Sequence, residues 1–251
     1  MDAHTVNLGG TALRARRSGG LGVVLEGRVQ DEPGAVTPYM DAVLDDPATR
    51  EAFFQLVETE GLVVCRHLAI DPVPYRGVRG KRTRGRMSQG EFFHHDGCST
   101  PTRPRIVEIR CPDQDCVRAM GTSVARFPEV VRTLLDVLPH PLLRTEGLGE
   151  LKAAANAGEA LDWEGVQGAV NRAIRPLDVE TARALLREVD AGSPSFTEPW
   201  TLSESRFMAN ENPARTVQHR RAYPVGFGPG VPNGRLLKRW PAEELPLTAS
   251  L

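Results

Sequence analysis

The segment EFFHHDGCST, Glu91 to Thr100, sets two histidines and an aspartate side by side behind two phenylalanines. Imidazole and carboxylate are the side chains that hold a divalent metal. On an extended strand successive residues point to opposite faces, so His94 and Asp96 share one face and His95 points the other way. Two imidazoles and one carboxylate on one side of Fe(II) leave positions open for a chelating co-substrate and O2. A single His-x-Asp in a chain with six histidines is weak evidence, so the case depends on a further imidazole. The best candidate is His219, in NENPARTVQHRRAY at 210–223; His4 lies in the N-terminal segment, His67 beside a strand end and His140 directly after a proline. Beyond His219 comes the turn-rich GFGPGVPNG and then Arg235 and Arg239, four apart on one expected strand. A guanidinium grips a carboxylate through two parallel hydrogen bonds, and two such groups can reach one cavity.

These residues need elements to position them. Asp45-Asp46-Pro47 is a helix start, and PATREAFFQLVETEG carries apolar residues at helical spacing until Gly61 stops it. Leu62–Cys65 reads as a buried strand, Ile106–Ile109 and Thr122–Ala125 as further strands, and Phe127–Leu138 as a short helix opened by Pro128. Residues 147–192 read as helical, with LKAAA and VETARALLREV the clearest pieces. Strand patterns return at Arg206–Ala209, Thr216–Arg221 and Arg235–Trp240, while the first 35 residues read as a strand and loops. Strands early and late with helices interposed as a block do not suit a βαβ alternation. They suit an antiparallel sandwich or barrel decorated by helices, in one domain spanning 1–251.

The bulk properties restrict the partners. Lys+Arg 31 against Asp+Glu 32 leaves a net charge of −1, which gives no overall field for nucleic acid or a membrane surface. Four cysteines in 251 residues and no apolar leader lead us to expect a reduced, cytoplasmic protein. Cys111 and Cys116 in CPDQDC are spaced too loosely for half of a zinc site and lack a second pair.

With GLVVCR at 61–66, HHD at 94–96, GTSVA at 121–125, NENPARTVQHRRAY at 210–223 and GRLLKRW at 234–240, the chain resembles the taurine dioxygenase/clavaminate synthase-like family of Fe(II)- and 2-oxoglutarate-dependent oxygenases. The order of five elements is far more specific than any one of them. The resemblance covers most of the chain from residue 47 onward except the helical stretch. It implies a double-stranded β-helix, a jelly roll mainly of β structure, with the helical insertion at about 147–192 packed outside it or over its mouth. It further implies that His94, Asp96 and His219 are the iron ligands, and that the hydroxyl of Thr122 and the guanidinium of Arg235 hold the distal carboxylate of 2-oxoglutarate. Arg239 then lies deeper, toward the substrate, and is the alternative partner of that carboxylate, because the 16-residue interval from His219 to Arg235 is longer than the family's usual one. The implied reaction consumes O2 and 2-oxoglutarate, releases succinate and CO2, and oxidises a substrate C–H bond. Hydroxylation is the first expectation, with desaturation or cyclisation open to the same chemistry. Because Asp96 supplies a carboxylate ligand, halogenation is not favoured.

The substrate side rests on YRGVRGKRTRGRM at 75–87, which places Arg76, Arg79, Lys81, Arg82, Arg84 and Arg86 in a run just ahead of His94. Such runs are most often solvated surface. Its position points instead to a glycine-hinged lid whose Arg82, Arg84 and Arg86 receive a small anionic or carrier-bound substrate; His95 is a further candidate for substrate contact. Two other classes stay open on the sequence. A non-catalytic jelly-roll protein would bind metal without forming succinate, and a zinc hydrolase using the same His/Asp/His set would ignore 2-oxoglutarate.

Overall fold

The computed structural model describes residues 3–18, 21–27, 39–66, 68, 92–95, 104–111, 121–201, 204–211, 216–222 and 236–240. Strands β1 (Ala3–Leu8) and β2 (Thr11–Arg17) form an antiparallel hairpin. Gly9 and Gly10 join them with φ of 55° and 80°. A two-residue hairpin turn with both central residues at positive φ follows the natural twist of the strands, and glycine enters that region without a Cβ clash. β3 (Val23–Glu26) then pairs with β2, and the chain passes through α1 (Tyr39–Asp45) and α2 (Pro47–Glu60) to β4 (Leu62–Arg66).

Helix α2 has the ends its sequence dictates. The Asp46 carboxylate accepts from the Thr49 amide at 2.8 Å, Pro47 occupies the first turn, and Gly61 closes the helix at φ 82°. Asp46→Ala is expected to lower stability, because the Thr49 amide loses its cap; a lower urea unfolding midpoint would show it. Arg105 clamps the exposed side of α2, reaching Glu51 and Glu58 at 2.7 Å each.

The remaining elements among the described residues are β5 (Ile106–Cys111), β6 (Gly121–Arg126), α3 (Phe127–Val137), α4 (His140–Leu143), α5 (Leu148–Asn156), α6 (Trp163–Ile174), α7 (Val179–Gly192), β7 (Ser195–Phe196), β8 (Glu204–Ala209), β9 (Val217–Ala222) and β10 (Leu236–Trp240). The strands make two sheets, one of seven in the order β1-β2-β3-β4-β8-β5-β10 and one of three in the order β7-β6-β9.

Three apolar layers hold these pieces. Phe53, Phe54 and Val57 of α2 pack with Leu25, Val63, Cys65 and Phe207 on one face of the large sheet, Phe53 meeting Phe207 edge-on at 4.8 Å between ring centroids. The opposite face, carrying Val24, Leu62, Val64, Val107, Ile109 and Met208, meets Val124, Phe196 and Val217 of the small sheet. β4 is buried at all five positions because both its faces are covered. A third layer joins α3, α5, α6 and α7 through Val131, Leu135, Leu148, Val170 and Val189, and it touches the outer face of the small sheet at Ala125.

Three expectations change here. Residues 3–26 hold three strands, β1 to β3, where one strand with loops was expected. The large sheet is not purely antiparallel: β3 and β4 run parallel, Val23 opposite Val63 through Glu26 opposite Arg66. The helices between them make this a crossover connection, which is how parallel neighbours are joined. The helical block also starts earlier than 147, since α3 and α4 run directly into the helices of that stretch and share their core. Among the described residues no helix is long and apolar enough to cross a membrane.

Candidate active site

β6 and β9 pair antiparallel with Val124 opposite His219 and Thr122 opposite Arg221. On the far side of β9, His94 makes an isolated antiparallel bridge to His219, each amide donating to the other's carbonyl at 3.1 Å. Phe196 of β7 stands opposite Val124. One row therefore crosses the small sheet as Phe196, Val124, His219 and His94, and residues in one row share a face. Val124, Phe196 and Val217 belong to the layer between the sheets, so both histidines stand on the inward face. Their ring centroids are 4.5 Å apart at 54°. His219 is buried and His94 half-buried.

The hydrogen bonding of His94 settles which of its nitrogens can bind a metal. Its Nδ1 lies 2.8 Å from the carbonyl oxygen of Phe92. A carbonyl only accepts, so Nδ1 carries the proton and Nε2 keeps its lone pair, the arrangement by which a backbone carbonyl orients an imidazole ligand.

Thr122 stands two residues before Val124 on the same strand and thus on the same face as His219, one row along. It is 2% exposed, and its hydroxyl has no hydrogen-bond partner among the described residues. A buried hydroxyl left unpaired costs about 1–3 kcal/mol, and such a group in a folded protein calls for an explanation. A ligand carboxylate arriving at this face would satisfy it.

His95 faces the other way, as the alternation requires. Gln218 Nε2 donates to its Nδ1 at 3.5 Å, its Nε2 lies 3.1 Å from the Thr216 hydroxyl, and its ring meets Phe127 of α3 edge-on at 4.7 Å. Arg220, on that outer face too, reaches Asp190 of α7 at 3.6 Å and lies over Phe93 at 5.5 Å. His95 thus serves the join between the small sheet and the helices, on the face opposite His94 and His219.

Asp96, Arg235, Arg82, Arg84 and Arg86 lie outside the described residues. Among the described residues no group of three His, Cys, Asp or Glu side chains could hold a metal ion. Arg239 is placed by its backbone alone, opposite Val107 in the β10–β5 ladder.

One part of this region went unread in the sequence. Arg206 of β8 is fully buried, with Nε donating to Glu204 at 2.6 Å, Nη1 to the Thr122 carbonyl at 3.0 Å and Nη2 to the Glu198 carbonyl at 2.7 Å. Arg66 joins Glu204 and Glu198 at 2.8 Å each, and Arg16 joins Glu198 at 3.2 Å and Glu26 at 3.3 Å. Burial pushes the Glu198 carboxyl up, but hydrogen bonds from Arg16, Ser18 and Arg66 outweigh it and hold the group at about 2. Burial likewise pulls the Arg206 guanidinium down while the Glu204 carboxylate opposes the shift. The available signal was charge inside strands otherwise apolar: Glu204 and Arg206 in ESRFMA, and Arg66 after LVVC.

A groove of about 420 Å³ lined by Arg16, Arg17, Ser18, Thr197 and Glu198 opens beside this network. None of His94, His219 and Thr122 lines it, and Arg16 within it is already engaged by two glutamates. The histidine row and the groove are therefore separate features of the fold.

No protein-family model matches this chain, and no curated protein matches it. Among solved structures it is similar to a Burkholderia xenovorans protein assigned as an alpha-ketoglutarate dependent 2,4-D dioxygenase, at 17% identity and a TM-score of 0.42, covering 90% of this chain and 95% of that one. It is similar also to AAD-2, solved in complex with Mn(II) and N-oxalylglycine, at 11% identity and a TM-score of 0.46, covering 90% and 96%. A third is the PvcB protein from Pseudomonas aeruginosa, at 12% identity and a TM-score of 0.40, covering 82% of each chain. Likeness at these values is one of outline.

Proposed function

We propose that this protein is a non-haem Fe(II)- and 2-oxoglutarate-dependent oxygenase acting on a C–H bond of a small molecule, its paired sheets forming a double-stranded β-helix. The observation that carries the reading is the inward row of His219 and His94 beside a buried threonine hydroxyl with no partner among the described residues. A two-imidazole face suits Fe(II), and an unpaired buried donor suits an incoming carboxylate.

In this reading His94 and His219 hold the metal with Asp96, and the Phe92 carbonyl keeps His94 in the tautomer that leaves Nε2 free to ligate. The Thr122 hydroxyl would donate a hydrogen bond to the distal carboxylate of 2-oxoglutarate, with Arg235 the proposed partner of that carboxylate and Arg239 the alternative. Val124, Phe196 and Val217 keep the layer around the histidines apolar, which strengthens the charged hydrogen bonds made there. The iron, when bound with 2-oxoglutarate and O2, supplies the oxidising power; the protein binds, orients and excludes water. An anionic or carrier-bound substrate received by Arg82, Arg84 and Arg86 belongs to the proposal on the ground of the basic run alone.

Succinate release measured with Fe(II), 2-oxoglutarate and a panel of small anionic substrates tests the reaction. Thr122→Val removes one hydrogen bond to a charged group, worth about 1.5–3 kcal/mol, and keeps the side-chain shape. It is expected to raise the KM for 2-oxoglutarate about ten- to a hundredfold while leaving Fe(II) binding intact. An unchanged KM would remove Thr122 from the co-substrate site.

A further inference from the structure

Strand β7 is only two residues long, and the way its ladder with β6 ends creates an unusual position for Arg206. The register sets Phe196 opposite Val124 and Ser195 opposite Ala125, so its continuation would bring Glu198 opposite Thr122. The pairing stops before that point, and Pro199, which has no N–H to give, follows. Two carbonyls, of Thr122 and Glu198, are left where the two strands part. The Arg206 guanidinium enters from the opposite sheet and donates to both, Nη1 at 3.0 Å and Nη2 at 2.7 Å.

Its remaining contacts fix it in that place. Glu204 takes Nε at 2.6 Å, and the guanidinium carbon lies 4.0 Å from the ring centroid of Trp200 and 4.9 Å from that of Phe196. The surrounding network contains three arginines (Arg16, Arg66, Arg206) and three glutamates (Glu26, Glu198, Glu204), so it is balanced in charge and offers no net attraction for an anion. A buried ion pair is also a poor way to stabilise a sandwich, since apolar side chains of similar volume serve as well or better. What the arrangement supplies is direction: a planar fork with fixed geometry, tied at one end to the large sheet and at the other to the backbone of the residue that carries the unpaired hydroxyl.

We infer that Arg206 is a positioning residue for the co-substrate, locking the Thr122 backbone where β6 leaves β7 so that the Thr122 hydroxyl is aimed at the 2-oxoglutarate carboxylate. This rests on the function proposed above. Arg206 does not touch the co-substrate; it acts through Thr122, and that predicts coupling between the two residues.

The test is a double-mutant cycle read by calorimetric binding of 2-oxoglutarate to the full chain loaded anaerobically with Mn(II), with Mn(II) affinity measured in parallel. Arg206→Lys keeps the charge but loses the fork, and is expected to weaken 2-oxoglutarate binding about tenfold in the presence of Thr122. In the Thr122→Val background the same change is expected to alter binding by less than about twofold, because the hydroxyl it aims is gone. Mn(II) affinity is expected to hold in all four proteins. Equal losses in both backgrounds, an unchanged affinity in Arg206→Lys, or a parallel fall in Mn(II) affinity would each overturn the inference and make Arg206 a plain sheet-to-sheet bolt. Should Arg206→Lys fail to fold, Glu204→Gln, which loosens the guanidinium while keeping an acceptor of the same shape, is judged by the same criteria. If the wild-type chain binds no 2-oxoglutarate at all, the proposed function falls and this inference with it; if wild type binds and Thr122→Val weakens it while Arg206→Lys does not, only the inference falls.

Discussion

Replacing His219 by alanine is expected to abolish Fe(II)-dependent turnover of 2-oxoglutarate while leaving the protein folded, and His94→Ala is expected to do the same. His219 stands in mid-strand; its amide and carbonyl bond to His94 and its neighbours on β9 pair with β6, and these backbone contacts survive the change, so the sheet does not depend on the imidazole. The metal does. Losing an outer partner of a metal ligand already lowers affinity 10–100-fold, so losing a ligand from an open site should exceed about a hundredfold. Metal content after dialysis and succinate production, each read beside a circular dichroism spectrum, check it. Near-normal succinate from either variant would take that histidine out of the ligand set. His95→Ala provides the contrast, since its ring serves the packing against Phe127 and its loss should register in stability before it registers in metal binding.

The second large effect is on the fold. Glu204 is fully buried and accepts from Arg206 Nε at 2.6 Å, Arg66 Nε at 2.8 Å and the Thr201 hydroxyl at 3.0 Å. Glu204→Ala leaves one wholly buried and one nearly buried guanidinium short of their counter-charge. Breaking a buried pair by removing one partner typically costs about 3–5 kcal/mol, a large part of the stability of an ordinary domain. A fall of that size in the urea unfolding free energy is the expected result, and a change under about 1 kcal/mol would mean that water or a rearranged neighbour compensates the arginines. Glu204→Gln should cost less, because the amide oxygen still accepts one bond.

What could be read in advance followed from local chemistry. Asp46 and Gly61 bound α2 because a carboxylate caps free amides and glycine takes positive φ, and both signals sit in the sequence itself. LVVC reads as a strand covered on both faces, and that is how β4 lies. The residue types and alternation around His94 gave the two faces on which His94 and His95 stand. The β1–β2 hairpin was missed although Gly9-Gly10 marks it, because arginines at 14, 16 and 17 make β2 look polar; the inward positions Leu13 and Ala15 carry the alternation instead. The parallel pairing of β3 and β4 has no local signature, since direction depends on a crossover through α1 and α2. Arg206 escaped for a similar reason. Its partners come from residues 84 positions away at Thr122 and from the point where a short strand ends, and only the assembled sheets bring them together.

Whether this chain holds Fe(II) and 2-oxoglutarate together is read by an anaerobic titration of the full chain with both, followed by visible absorption. A weak charge-transfer band is expected that needs both components, saturates at one equivalent of each, and disappears in His219→Ala. Fe(II) binding with no band on adding 2-oxoglutarate, or a Zn(II)-dependent hydrolysis indifferent to 2-oxoglutarate, would contradict it.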